Sequence, residues 1–408
     1  MTDTVKPRDA REVEDALRWA LDGSKALEIV GVGSKRAIGR PSQTDITLDL
    51  SSLSGVTLYE PEELILSARA GTPIAEIEAL VESKGQMLAF EPMDFGPVLG
   101  APAGQGTIGG VLATNASGPR RIKAGAARDH FLGFSAVSGR GETFKSGGRV
   151  VKNVTGYDLC KLIAGSWGTL AAMTEVTIKV LPAAETEETL LIRGLEPARA
   201  VEAMTSAMAS ACDVSGAAHL PSDVAASVPA VAGAGGGVTA LRLEGFSPSV
   251  THRRGALQDL MKPFGDLAII DAPVSRAFWQ AVRDVTPFAC SCNDIERPLW
   301  RISTAPSRGA ELGAALAKRA GAQVLYDWAG GLIWLALAAS DDAGAARIGP
   351  AVAATGGHAT LIRAPAAVRA AIDVFAPQEP VLAALTKRVK EGFDPMGVLN
   401  PGRMWAGV

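Results

Sequence analysis

The chain has 408 residues, enough for two or three domains, and its formal net charge of −3 at pH 7 excludes the strongly basic surface of a nucleic-acid binder or polybasic membrane anchor. No charge-free apolar run approaches the ~20 residues that cross a bilayer, and the opening MTDTVKPRDAREVEDALRWA carries acids where a secretory signal has an apolar core. Four cysteines, Cys160, Cys212, Cys290 and Cys292, are too few and too irregular for a disulfide framework, which fits a reducing cytoplasm. Cys290-Ser-Cys292 reads as two incidental thiols rather than a metal or redox pair.

In chain order, Val13, Ala16, Leu17 and Ala20 fall at helical spacing and predict an amphipathic helix over 8–21. A buried strand over 26–30 runs straight into Gly31-Val-Gly-Ser-Lys35, a strand-then-glycine-turn arrangement whose amides suit phosphates. The dinucleotide pattern G-x-G-x-x-G fits Gly31 and Gly33 but meets Arg36 at its third glycine, so a standard Rossmann site is disfavoured. Strands are expected over 45–50 and 64–70 with a turn at 53–55 between them. A helix over 74–83 follows, with Thr72 as N-cap and Pro73 in its first turn.

The stretch APAGQGTIGGVLATNASG, 101–118, is built from glycine and small side chains, as expected where backbone lies against something large and flat. Thr107 is placed to cap a short helical turn, whose free N–H groups would favour an anion such as a pyrophosphate. Arg120, Arg121 and Arg128 add positive charge nearby. A hairpin over 131–144, a helix over 154–164, the turn GSWGTL and a strand over 171–180 complete this part, and the polar run 185–189 marks a boundary. Beyond it, strands at 189–192, 214–220, 238–246, 299–304, 322–328, 332–338 and 359–363 alternate with alanine-rich helices. That pattern indicates an α+β domain of two ferredoxin-like half-units, followed by a last helix over 380–391.

These stretches together resemble one family, the PCMH-type FAD-binding flavoproteins related to vanillyl-alcohol oxidase. The resemblance rests on GVGSK (31–35), GTIGGVLATNASG (106–118), RDHFLGFSAVSGRGE (128–142), KNVTGYDLCKLIAGSWGTLAAMTEVTIKVLP (152–182) and DPMGVLNPG (394–402). It implies an α+β fold: a two-subdomain FAD-binding domain over 1–182, an α+β cap over 183–375, and a C-terminal segment, 376–408, packing back on the FAD domain. The cofactor implied is FAD. Gly31, Val32, Gly33, Ser34 and Lys35 would hold its pyrophosphate with Gly106, Thr107, Gly109 and Gly110. Thr114, Asn115 and Ser117 would approach the flavin, Gly168 and Val176 would line the adenosine end, and Asn400 would return to the ring from the tail. Pro102, Ala113, Gly118 and Arg128 join the cofactor-binding set.

Within that family the chain most resembles the smaller FAD-binding subunits of bacterial glycolate oxidases, also called glycolate dehydrogenases. Their complexes also hold a larger, catalytic flavoprotein and an iron–sulfur subunit. The resemblance implies a small 2-hydroxyacid as substrate of the complex, an electron-transferring or structural role for this chain, and membrane contact only through a partner. Two departures bear on mechanism. The first phosphate loop lacks the histidine of covalently flavinylated members, so FAD is expected to be non-covalent. The catalytic members' cap cluster of metal-binding histidines has no counterpart among His130, His219, His252 and His358, and Trp167 stands in GSWGT where relatives carry an acid. Tyr157 is the remaining candidate for acid–base work at the flavin. Cap cations, Arg297, Arg301 and Arg363, together with Lys152, are candidates for neutralising a carboxylate; a self-sufficient FAD-dependent alcohol or hydroxyacid dehydrogenase is the alternative they support.

Overall fold

A computed structural model describes residues 3–148, 156–290 and 296–408. Asp9 accepts a hydrogen bond from Glu12 N and starts the helix Ala10–Asp22, whose Val13, Leu17 and Ala20 are buried. They pack on a small parallel sheet in which Ile46–Asp49 lies between Asp3–Val5 and Leu27–Val30. Leu27–Val30 delivers the chain directly into Gly31, so the first glycine loop leaves the carboxyl end of a parallel strand, where open α/β sheets bind ligands.

A five-stranded antiparallel sheet comes next, in the order Val56–Glu60, Ile65–Arg69, Ala171–Lys179, Phe131–Ser138, Thr143–Gly147. Leu66, Ala68, Phe134, Ala136, Val176 and Ile178 bury its inner face against Ile77 and Val81 of the helix Ile74–Glu82 and against Val111 and Leu112. Val56–Glu60, just after the turn expected at 53–55, is a strand that the sequence pattern did not mark; it is an edge strand with no fully buried position, so its apolar alternation is weak. Thr72 does not cap the helix that follows. Its hydroxyl donates to Arg69 O at 2.7 Å and accepts from Gly55 N at 3.0 Å, tying two turns together instead.

The cap is one continuous eight-stranded antiparallel sheet of two βαββαβ halves. The first half is ordered Asp266–Ile270, Thr186–Arg193, Val238–Gly245, Gly216–Leu220, and the second Gln323–Asp327, Leu332–Ala336, Leu299–Ser303, His358–Arg363. The halves join where His219 pairs with Tyr326. The polar run at 185–189 lies mostly inside the first cap strand, where Glu187 is buried and accepts a hydrogen bond from Ser275 at 2.6 Å. Helices Pro197–Met208, Ser247–Met261, Pro306–Ala320 and Ala345–Ala353 cover one sheet face. The other face, with Leu191, Ala240, Leu332 and Trp334, shares a core with the amino-terminal part.

After the helix Pro380–Phe393 the tail returns to the beginning of the chain. Asn400 N donates to Leu27 O at 2.9 Å, and the buried Lys390 ammonium bonds Thr169 O, Leu399 O and the Asp394 carboxylate at 2.7–2.8 Å. The two ends of the sequence therefore build one body.

Candidate functional site: a diphosphate cleft and the cap interface

Two glycine-bearing segments meet in a cleft lined by Ile29–Arg36, Thr107, Gly109, Gly110, Ala113, Thr114, Trp167, Gly168, Met173 and Arg403. They approach so closely that a Cβ on Gly31 would lie 2.5 Å from Thr107 Oγ1; behind the second segment, one on Gly109 would lie 2.7 Å from Ala70 O. A side chain at Gly31 would push the two walls apart, and one at Gly109 would lift the second segment off Ala70.

The anion-binding donors are not those the sequence suggested. Thr107 does cap the helix Ile108–Thr114, accepting from Gly110 N at 3.3 Å. The other first-turn amides are already used, Ile108 N on Thr72 O at 3.0 Å and Gly109 N on Ala70 O at 2.8 Å. The open donors lie on the opposite wall: the backbone amides of Val32, Gly33, Ser34 and Lys35 have no acceptor among the described residues. Beside them the Lys35 ammonium, 3.6 Å from a Cβ built on Gly110, makes no ion pair there and has the Phe95 ring 5.8 Å away. Burial pushes that ammonium down to about 8, against the opposing pull of Asp94. Successive unpaired amides beside an unpaired, partly buried cation form a nest for a polyanion, and such groups are costly to leave unsatisfied. The residues present fit the diphosphate of FAD.

The tail forms the end wall of this cleft. Asn400, 1 % exposed, accepts from Ile29 N at 2.8 Å and donates to Trp167 O at 2.7 Å, so it clasps the strand Leu27–Val30 to the GSWGT turn. Arg403 donates to Lys35 O at 2.8 Å. Trp167 holds a left-handed conformation at φ 55°, strained for a bulky side chain, and packs edge-on against Phe375 at 5.4 Å.

Of the residues expected to contact FAD, Gly31, Val32, Gly33, Ser34, Lys35, Thr107, Gly109, Gly110, Ala113, Thr114 and Gly168 line the cleft. Gly106 precedes the Thr107 cap, and Pro102 is exposed on the approach to it. Val176 is fully buried within the five-stranded sheet, and Asn400 lies behind the cleft wall. Asn115 and Ser117 fix the second loop onto the segment after it, through Arg128 N to Asn115 Oδ1 and Ala127 N to Ser117 Oγ, both 2.9 Å; the Arg128 side chain is exposed. Tyr157 is 92 % exposed and outside the cleft lining. Lys152 and Cys292 lie outside the described residues.

Where the second loop reaches the cap, Gly118 O accepts from Trp328 Nε1 at 3.1 Å. Two cation clusters flank this contact. In one, Arg242 is gripped by both Glu91 oxygens at 2.9 and 3.1 Å and stacks on Trp279, while Arg120 bonds Glu244 at 2.8 Å. Burial pushes the Glu244 carboxyl up, yet Arg242 and Arg120 outweigh it and hold it at about 2. In the other cluster, Arg121 and Arg301 stand over the Trp328 ring at 4.3 and 5.0 Å. Next to Trp328, burial raises the Asp327 carboxyl to about 7. Glu91, Arg242, Trp279 and Trp328 were not singled out from the sequence; Glu91 and Arg242 lie 151 positions apart.

This fold and cleft define a flavoprotein, and the FAD binding domain profile matches residues 3–147. The chain belongs to the PCMH-type FAD-binding family of oxidoreductases, and FAD is its cofactor. It is 34 % identical to glycolate oxidase subunit GlcE of Escherichia coli (strain K12), covering 96 % of each chain. Glycolate oxidase subunit GlcD of Bacillus subtilis (strain 168) is 30 % identical over 46 % of this chain and 38 % of its own. The solved structure of p-cresol methylhydroxylase with substrate bound shares the fold, with a TM-score of 0.70 at 12 % identity over 99 % of this chain and 88 % of that one.

Proposed function

We propose that the chain is the smaller FAD-carrying subunit of a complex that oxidises glycolate to glyoxylate, joined there by a larger catalytic flavoprotein and an iron–sulfur subunit. The observation that carries this reading is the row of unpaired amides at 32–35 beside the unpaired Lys35 ammonium, in a chain similar along almost its whole length to a named oxidase subunit. FAD, when bound, supplies the acceptor for the two electrons that glycolate loses with two protons. The chain's own residues hold its diphosphate through the first loop and the Lys35 charge, keep the second loop close to the first through Gly31 and seated on Ala70 through Gly109, and close the end wall through Asn400 and Arg403. No FAD-linking histidine or cysteine stands in 31–35, which supports non-covalent binding. No helix among the described residues is long and apolar enough to cross a membrane, so membrane association in this reading comes through a partner.

An electron-transferring or structural role is supported by the position of Tyr157, whose exposure leaves the cleft without the acid–base group expected from sequence. A second reading, a self-sufficient dehydrogenase, is favoured by Asp327, a buried carboxyl poised at about 7 as a general base requires. Anaerobic titration of the purified chain with glycolate distinguishes the two. Flavin bleaching only in the presence of the co-purified partners supports the subunit reading; bleaching by the chain alone supports the second. A chain that takes up no FAD refutes both.

A further inference from the structure

The sequence offers three cap arginines as anion ligands, and the structure sorts them. Arg363 spends its guanidinium on the carbonyls of Arg297, Val98 and Phe288 at 2.7–2.8 Å, and Arg297 is exposed and reaches Gln323 at 3.3 Å. Arg301 differs. It lies on the interface side of the cap sheet, directly between Trp334 and Thr360 in the neighbouring strands, and the guanidinium stands 5.0 Å from the Trp328 ring centroid. Arg121 comes over the same ring from the amino-terminal part at 4.3 Å. Neither guanidinium has a hydrogen bond or ion pair to any described residue. His358, two strand positions from Thr360, adds a third ring within electrostatic reach of both.

The two cations repel each other; Asp327 attracts Arg301 and Asp129 attracts Arg121 from beyond ion-pair distance, but burial and the mutual repulsion outweigh them, an unfavourable arrangement unless an anion joins the pair. The setting limits what that anion is. Trp328 and Trp334 give it flat apolar walls, and the forked donors of two guanidiniums match the paired oxygens of a carboxylate. Arg121 is only three residues beyond Gly118, at the end of the second loop, so this place adjoins the loop that leads away from the diphosphate cleft.

We propose that Arg301 and Arg121, stacked on Trp328, form a binding site on this chain for a small carboxylate anion of the 2-hydroxy- or 2-oxoacid class. The proposal deepens the glycolate-oxidising assignment and rests on it for the choice among carboxylates. It gives the smaller subunit a ligand site of its own.

Isothermal titration of the FAD-loaded chain with oxalate, with glycolate under anaerobic conditions, and with inorganic phosphate tests the site. One carboxylate bound per chain is expected, weakened at least tenfold in Arg301→Met and in Arg121→Met and partly restored in Arg301→Lys, with flavin content unchanged. Arg121 is exposed, so its variant remains informative if Arg301→Met does not fold. Carboxylate binding equal in wild type and both variants, or no binding by a chain that retains FAD, overturns the proposal, as does phosphate binding more tightly than either carboxylate. A chain that binds carboxylate through these arginines but takes up no FAD refutes the cofactor assignment and leaves the anion site standing.

Discussion

Arg242 and Arg301 occupy the same side of the same cap sheet, and each stacks on a tryptophan, at 4.6 and 5.0 Å. Their electrostatics are opposite. Arg242, 1 % exposed, is surrounded by Glu91, Glu244 and Ser215, and the acids outweigh the burial that opposes its charge. Arg301 forms no ion pair; burial and the Arg121 charge lower it to about 10 against the weaker pull of Asp327. A buried cation whose partners are all supplied by the protein works as a latch between two parts of the fold. One whose partners are missing is shaped for something that arrives from outside, and Lys35 in the diphosphate cleft is of this second kind.

The largest effect that separates the two kinds is expected at the latch. Arg242→Met leaves Glu91 and Glu244 facing each other with Arg120 as the one cation still paired to both, and chemical denaturation should show a loss of about 3–5 kcal/mol. The wild-type latch depends on acid: because Glu244 sits at about 2 in the folded chain, its contribution is complete above the ordinary carboxylate range and drains away as pH falls from there toward 2. A melting temperature that does not decline in this window would contradict the pairing.

Next in size is Lys35→Met, which removes a charge-assisted contact of roughly 1.5–3 kcal/mol and should weaken FAD binding about 10- to 100-fold by fluorescence titration. A bound diphosphate favours the charged ammonium, so the wild-type chain takes up a proton on binding above about pH 8, and its affinity falls as pH rises through that value. The variant should lose that slope.

Gly31→Ala tests whether the cleft also depends on close packing. Its new methyl would meet Thr107 Oγ1, costing about 1–3 kcal/mol of stability and part of the flavin content. The smallest stability change belongs to Arg301→Met, within about 1 kcal/mol and with the sign of stabilisation, because an uncompensated charge is replaced by an apolar side chain of similar length. A large loss at Arg301 would erase the distinction from Arg242.

Much of this was legible in the sequence, because local patterns carry it. The strand before Gly31, the Thr107 cap, the closely packed Gly109 and the alternating cap elements each follow from residues a few positions apart. What escaped depends on distant partners. The strand Asp266–Ile270 and the helix Ala272–Arg283 were missed, and that helix buries Phe278 and Trp279 only because the amino-terminal part stands opposite. The amides at the Thr107 turn look free in sequence; Ala70 and Thr72, more than thirty residues earlier, consume them. Tyr157 looked suited to the flavin from its motif alone, and motif carries no information about which way a side chain leaves the surface.

The clasp made by Asn400 has a consequence for how the protein is made. A cleft that begins at Ile29 has its wall fixed by a side chain 371 positions later, and Arg403 lines it from further still. During translation the nascent chain therefore carries a half-built nucleotide seat past almost the entire cap, and the cleft has its full wall only once Asn400 and Arg403 have left the ribosome and folded home.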